Sequence, residues 1–158
     1  MEVDLQLAVE QLHARYAHAL DEDRLEDWPG FFTGNSIYRI TTAENEVRGL
    51  PLPVLYCDSR AMLRDRVASL RNANIYEPQR YCHMMSAVLI ERISKTHVNS
   101  KSNFLVIRIM QDGESTLFAS GRYLDRIVLK GEGGLPQYEE RVVVCDSRRF
   151  DTLLAIPL

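Results

Sequence analysis

Four histidines, three cysteines and seven tyrosines are the side chains that could hold a metal, attack a substrate or move a proton. Their spacing therefore comes first. His13 and His18 share one helical stretch but stand five residues apart, about 140° around the axis at about 100° per residue, so they cannot chelate one ion. His83 and His97 are isolated, and neither His-x-x-x-His nor Cys-x-x-Cys occurs. A Rieske cluster takes Cys-x-His paired with Cys-x-x-His, whereas Cys82 and His83 are directly adjacent and have no second half. A mononuclear iron centre takes two histidines and a carboxylate facing one opening, which four lone histidines do not offer. The chain also lacks a Gly-x-Ser-x-Gly elbow, and no cysteine has a plausible base beside it in sequence. Gly131, Gly133 and Gly134 join two strands and open no helix, so they are not a dinucleotide loop. No catalytic, cofactor-binding or metal-binding residue is expected.

One arrangement keeps an enzymatic reading open. Tyr16, Tyr38, Tyr56 and Tyr81, with Asp21 and His83, could line an apolar pocket where a tyrosine and a carboxylate transfer protons. The plainer reading makes these tyrosines packing residues whose hydroxyls reach a backbone partner. Cys57, Cys82 and Cys145, odd in number and scattered, read as small buried residues in a reducing compartment.

The elements that must position these residues follow from periodicity. Leu5, Ala8, Leu12, Tyr16 and Ala19 recur in steps of three and four, which predicts a helix from Asp4 to about Leu20 with Asp4 as N-cap. A short helical piece is expected over Leu25 to Phe32, capped by Asp21 or Asp23 and shortened by Pro29. Ser36 to Thr42 reads as a strand, Gly49 to Pro53 as a connection, and Ser59 to about Ala73 as a third helix capped by Asp58 or Ser59. After Pro78 the pattern turns extended, with strands expected over Tyr81–Ile93, Phe104–Gln111, Ser115–Leu129 and Tyr138–Cys145. Asp112-Gly113 predicts a tight two-residue hairpin turn, Lys130 to Gly134 a looser one, and Thr152 to Ile156 a last short strand. Helices first and long antiparallel strands afterwards predict an α+β fold, helices on one face of the sheet, in one domain over residues 1–158.

Composition bounds the partners. Hydrophobic residues at 46% and charged residues at 26% of 158 are ordinary for a folded domain, and the net charge of -3 offers no footprint for nucleic acid. No apolar run is long enough to span a bilayer, and Met1 to Asp4 lacks a signal-peptide layout, so a cytoplasmic location without membrane contact is expected.

The third helix carries an arginine problem. At about 100° per residue Met62, Leu63, Val67 and Leu70 form one apolar arc, and Arg66 falls inside it. A guanidinium there cannot shed its charge, so Arg66 is expected to be buried and paired, with Arg66→Ala far costlier than Arg60→Ala. Arg60, Arg64 and Arg71 cluster on the far side, as a solvated face or a surface for an acidic partner.

Five blocks, taken in order, resemble one family. They are Leu20-Asp21 through Trp28-Pro29-Gly30-Phe31-Phe32 to Tyr38-Arg39-Ile40-Thr41; Met62 to Val67; Glu77 to His83; Phe118-Ala119-Ser120-Gly121-Arg122-Tyr123; and Arg141 to Ser147. Together they resemble the small (beta) subunits of bacterial Rieske-type aromatic-ring-hydroxylating dioxygenases. Asn74 to Glu77 and the ending Asp151 to Leu158 look most like the subunits of enzymes that attack aromatic carboxylates of the terephthalate, salicylate, benzoate or anthranilate type. The resemblance implies an NTF2-like (cystatin-like) cone, a strongly curved and mostly antiparallel sheet under N-terminal helices. It also implies partners, three large (alpha) and three small subunits, with the Rieske [2Fe-2S] cluster and mononuclear Fe(II) in the large subunit and none in this chain. A free-standing pocket enzyme of the same fold, an isomerase or dehydratase, is the alternative.

Overall fold

The computed structural model describes residues 2–49, 53–72, 78–147 and 156–158. Helix α1 runs Glu2–Asp21 and buries Val9, Leu12, His13, Tyr16 and Leu20 along one face. It begins earlier than the sequence predicts, so Asp4 lies within its first turn, where a carboxylate favours the positive end of the helix dipole. A 3₁₀ helix, Leu25–Phe31, follows and holds Pro29. Its N-cap is Arg24 and takes no side-chain bond, because Asp21 and Asp23 are engaged elsewhere.

Strand β1 spans Phe32–Thr42. Helix α2, Ala43–Arg48, is unforeseen in the sequence although its signals are there: Thr42 Oγ1 accepts the Asn45 N–H at 3.2 Å, and Gly49 ends it in the left-handed region at φ 65°. The short strand β2, Leu55–Cys57, is likewise unforeseen. Helix α3 covers Arg60–Asn72, and Ser59 Oγ accepts the Met62 N–H at 3.2 Å as the cap expected there. Then come β3 (Gln79–Arg92), β4 (His97–Met110), β5 (Ser115–Val128) and β6 (Gln137–Cys145). β4 starts seven residues before its predicted start. Its polar first half still alternates, burying Val98, Ser100 and Ser102 and exposing Asn99, Lys101 and Asn103. The expected last strand falls mostly outside the described residues; Ile156 is not in a strand.

The strands form one open six-stranded sheet in the order β2-β1-β6-β5-β4-β3. β1 and β6 run parallel; every other neighbouring pair is antiparallel. The β4–β5 turn is three residues, Gln111–Gly113, rather than two. Met110 and Glu114 close it with a bond of 2.9 Å, the Gly113 N–H reaches the Met110 carbonyl at 2.9 Å, and Gly113 sits at φ 88°. Register slips mark bulges in four of the strand pairings, one with Ala87 at φ 55° on β3, and bulges bend strands. Helix α1 packs along β3, the long edge strand, and its side chains meet edge groups that water would otherwise take. Gln6 Nε2 donates to the Val88 carbonyl at 3.1 Å, and the Asp21 carboxylate accepts the His83 N–H at 3.0 Å.

Candidate functional site

The inward faces of β4, β5 and β6 carry a charged centre. Alternation puts Tyr123, Asp125 and Ile127 of β5 on the concave side, opposite Arg141 and Val143 of β6. Arg141 is wholly buried and holds Asp125 with two bonds, Nε to Oδ1 at 2.8 Å and Nη2 to Oδ2 at 3.0 Å. Its guanidinium carbon stands 3.7, 4.2 and 4.3 Å from the ring centres of Tyr123, Tyr138 and Tyr16, so Nη1, which has no hydrogen-bond acceptor among the described residues, faces aromatic π-surfaces. Burial alone would lower the Arg141 pKa; Asp125 and the tyrosines outweigh it and raise it. Burial pushes the Asp125 carboxyl up, and Arg141 pulls it back only in part.

His13 of α1 completes the centre. Arg141 Nη2 lies 3.3 Å from Nδ1, and since a guanidinium only donates, Nδ1 must accept. The Tyr138 hydroxyl donates to the same atom at 2.6 Å, so the ring proton sits on Nε2, which faces Ser100 Oγ at 3.3 Å. Burial, and then the charge of Arg141, holds His13 well below its ordinary pKa of 6.5. A base harder to protonate folded than unfolded gives stability that is complete above about 6.5 and drains as pH falls below that value. The urea midpoint should therefore drop between about pH 6.5 and 5, and more steeply than in His13→Gln. Asp125, whose slope has the opposite sign, is common to both proteins. Equal slopes would refute the neutral-imidazole assignment.

A second cluster surrounds Ile156–Leu158, buried against the cone core. Tyr16 and Tyr38 donate to the main-chain oxygen of Leu158 at 2.6 and 2.8 Å, and Trp28 Nε1 donates to Tyr16 Oη at 3.2 Å. Both hydroxyls are raised above their ordinary pKa, chiefly by burial. His83 Nδ1 faces Asp21 Oδ1 at 2.6 Å and Nε2 faces the Pro157 carbonyl at 3.2 Å. Of the tyrosines singled out by sequence, Tyr16 and Tyr38 thus converge with Asp21 and His83 on one short segment. Tyr81 is buried beside His83 and Phe118, and Tyr56 lies on β2 at 46% exposure, away from the group.

Helix α3 differs from its sequence reading. Leu63, Val67 and Leu70 are buried, but Met62 is exposed and Arg66 is half-buried, with Nε shielded from water near Cys57. The fully buried arginine is Arg141, because its face of the sheet is closed over by Tyr16, Tyr123 and Tyr138, whereas Arg122 and Arg126 on β5, also in mid-sheet, point to the other face and reach water. Arg60 forms a two-pronged bridge to Glu132 at 2.7 and 2.8 Å, and Arg71 holds Asp23 and Glu26, whereas Arg64 forms no such bridge among the described residues. Arg66→Ala should cost about 1–2 kcal/mol against about 0.5 for Arg60→Ala in urea unfolding, a narrower gap than full burial would bring. A larger loss at Arg60 would reverse this ordering.

Among the described residues no three His, Cys, Asp or Glu side chains converge as metal ligands, and none of their helices is long and apolar enough to cross a membrane. His13, His83 and His97 are each bonded to side chains or backbone of this chain, the last to Thr96 at 2.8 Å. They do not fit a Rieske cluster or a mononuclear iron centre.

The family model described as "Ring hydroxylating beta subunit" matches residues 15–152. This chain belongs to that family. It is 40% identical over 153 residues to subunit beta 1 of the terminal oxygenase component of terephthalate 1,2-dioxygenase from Comamonas sp, covering 97% of this chain and 98% of that one. It is 41% identical to the anthranilate 1,2-dioxygenase small subunit of Burkholderia cepacia, over 93% and 90% of the two chains. A crystal structure described as the beta subunit of an aromatic-ring-hydroxylating dioxygenase from Novosphingobium aromaticivorans superposes with a TM-score of 0.90 at 34% identity, covering 99% of both. The sheet of this family member is therefore the NTF2-like one, open rather than closed into a barrel.

The centre built from Arg141, Asp125 and His13 was not found by sequence reasoning, which tested His13 only for chelation. One signal was available: the alternation of β5 puts Asp125 on the same face as Tyr123 and Ile127.

Proposed function

We propose that this chain is the structural, assembly-forming small subunit of a multicomponent ring-hydroxylating dioxygenase whose substrate is a small aromatic carboxylate. The observation that carries the reading is 40% identity along 97% of the chain to a terminal-oxygenase small subunit of an enzyme named for terephthalate, with a like match to one named for anthranilate. Its partner is a large subunit that carries the Rieske [2Fe-2S] cluster and the mononuclear Fe(II), and three of each chain assemble, the small subunits also meeting one another. The complex is cytoplasmic and binds neither nucleic acid nor membrane. The tyrosines and His83, which could have served a free-standing pocket enzyme, spend their donors on backbone oxygens of the chain itself, and this supports the structural role.

Co-expression with a Rieske large subunit tests the proposal. The expected product is a stable hetero-oligomer with three copies of each chain by native mass spectrometry, with iron that partitions entirely with the large subunit. Single changes Tyr16→Phe, Tyr38→Phe and His83→Ala should lower stability or assembly yield while turnover per assembled complex stays within about twofold. A tightly held iron in the isolated chain, or a hundredfold loss of turnover in an intact complex with unchanged iron and cluster content, would overturn it.

A further inference from the structure

The bonding around Leu158 is that of a ligand in its site. Two phenol hydroxyls, from α1 and β1, donate to one oxygen, and the third donor, His83 Nε2 on β3, meets the next oxygen along. Trp28 donates to Tyr16 Oη, so that oxygen is already serving as an acceptor and its own proton is free to point at the seat. Two O–H donors on a single oxygen suit a carboxylate or a polarised carbonyl better than a hydroxyl, because such an oxygen accepts along both lone pairs. The guanidinium of Arg141 lies over the Tyr16 ring at 4.3 Å, and Trp28 and Phe32 both stand edge-on to Tyr38, at 5.1 and 5.8 Å between ring centres, so the two phenol donors are set among buried aromatic rings.

Ile156–Leu158, in contrast, belongs to no helix or strand, and among the described residues no main-chain bond ties it to the sheet or the helices. Side-chain donors and apolar contact hold it, the same interactions that a small molecule would make. We infer that the seat of Leu158 in the cone is a binding site for a small carboxylate with a branched or aromatic apolar body, and that Ile156–Leu158 occupies it as an internal ligand. A free ligand and the segment compete for the same three donors, so the site opens only when the segment leaves. This stands apart from the assembly role and holds whether or not the large subunit is present.

The probe is 4-methylpentanoate, the skeleton of leucine without its amino group, and Trp28, the one tryptophan of the chain, reports its arrival by fluorescence. A chain stopped after Ala155 should bind it one to one with a Kd of about a millimolar, reasonable for so few heavy atoms. The full chain should bind at least about tenfold more weakly, as should the shortened chain with Tyr38→Phe or with 4-methylpentan-1-ol in place of the acid. A shortened chain that melts cooperatively yet binds nothing, equal binding by full and shortened chains, or indifference to Tyr38→Phe would each overturn the assignment. Should the shortened chain fail to melt cooperatively, the same titration is made on full-length Leu158→Gly, which deprives the segment of its apolar anchor. Saturable binding there supports the site, and its absence overturns it.

Discussion

Arg141→Ala should lower the stability of the protein by about 3–5 kcal/mol, the range typical when one partner of a buried ion pair is removed. Asp125, with a side chain as fully buried as that of Arg141, would lose its counter-ion and either hold an uncompensated charge or be driven to take up a proton, and three tyrosine faces would lose the cation they enclose. Since folded proteins hold only about 5–15 kcal/mol in reserve, a large part of the isolated chain should then be unfolded under mild denaturant. The pair itself need not be strongly stabilising, because two desolvation costs stand against one attraction. Arg141→Met combined with Asp125→Leu should therefore recover most of the loss, and a double-mutant cycle on the urea midpoints should give a large coupling. Additive single losses, or an Arg141→Ala protein within about 1 kcal/mol of the parent, would show that the charged centre does not hold the cone together.

Gly121→Ala should be nearly as damaging, for a reason of space alone. Gly121 lies on the inward face of β5, paired with Cys145 of β6 and Phe104 of β4. A Cβ built there would overlap the Val144 carbonyl oxygen and press on the Cys145 Cα. Those are main-chain atoms of a strand locked between β1 and β5, so no rotamer change can relieve the clash and the sheet itself must move. Overpacking typically costs about 1–3 kcal/mol, and a clash with main-chain atoms puts Gly121→Ala at the upper end of that range. Gly30→Ala is the control: a Cβ there meets nothing within 4 Å, and the change should stay within about 0.5 kcal/mol. If both variants unfold at the same urea concentration, the close approach at Gly121 is not what it is taken to be.

The sequence by itself determined the elements that rest on local rules. The apolar spacing of Leu5, Leu12 and Tyr16 suffices for α1, the alternation of Tyr123, Asp125 and Ile127 for β5, and the Ser59 cap for the start of α3. The blocks from Asp21 to Arg141 were also enough to point to the family, since they recur as an ordered set. What failed locally was short or polar: β2 has three residues, α2 six, and the first half of β4 alternates serine with asparagine and lysine. Only the pairing of β4 with β3 and β5 makes that run a strand.

The site was decided by the tertiary structure. His13 and Arg141 are separated by 128 positions and Tyr16 and Leu158 by 142, and no periodicity relates residues so far apart. The placing of Arg66 failed for the same reason. Helical geometry gives the side of α3 on which it lies, but whether that side is sealed depends on neighbours that arrive from elsewhere in the chain, and there it stays half open. At Arg141 the neighbours close completely. A parallel partner strand on one side, an antiparallel one on the other and three tyrosines across the concave face leave a permanent charge no route to water, so its carboxylate had to be supplied from the adjacent strand.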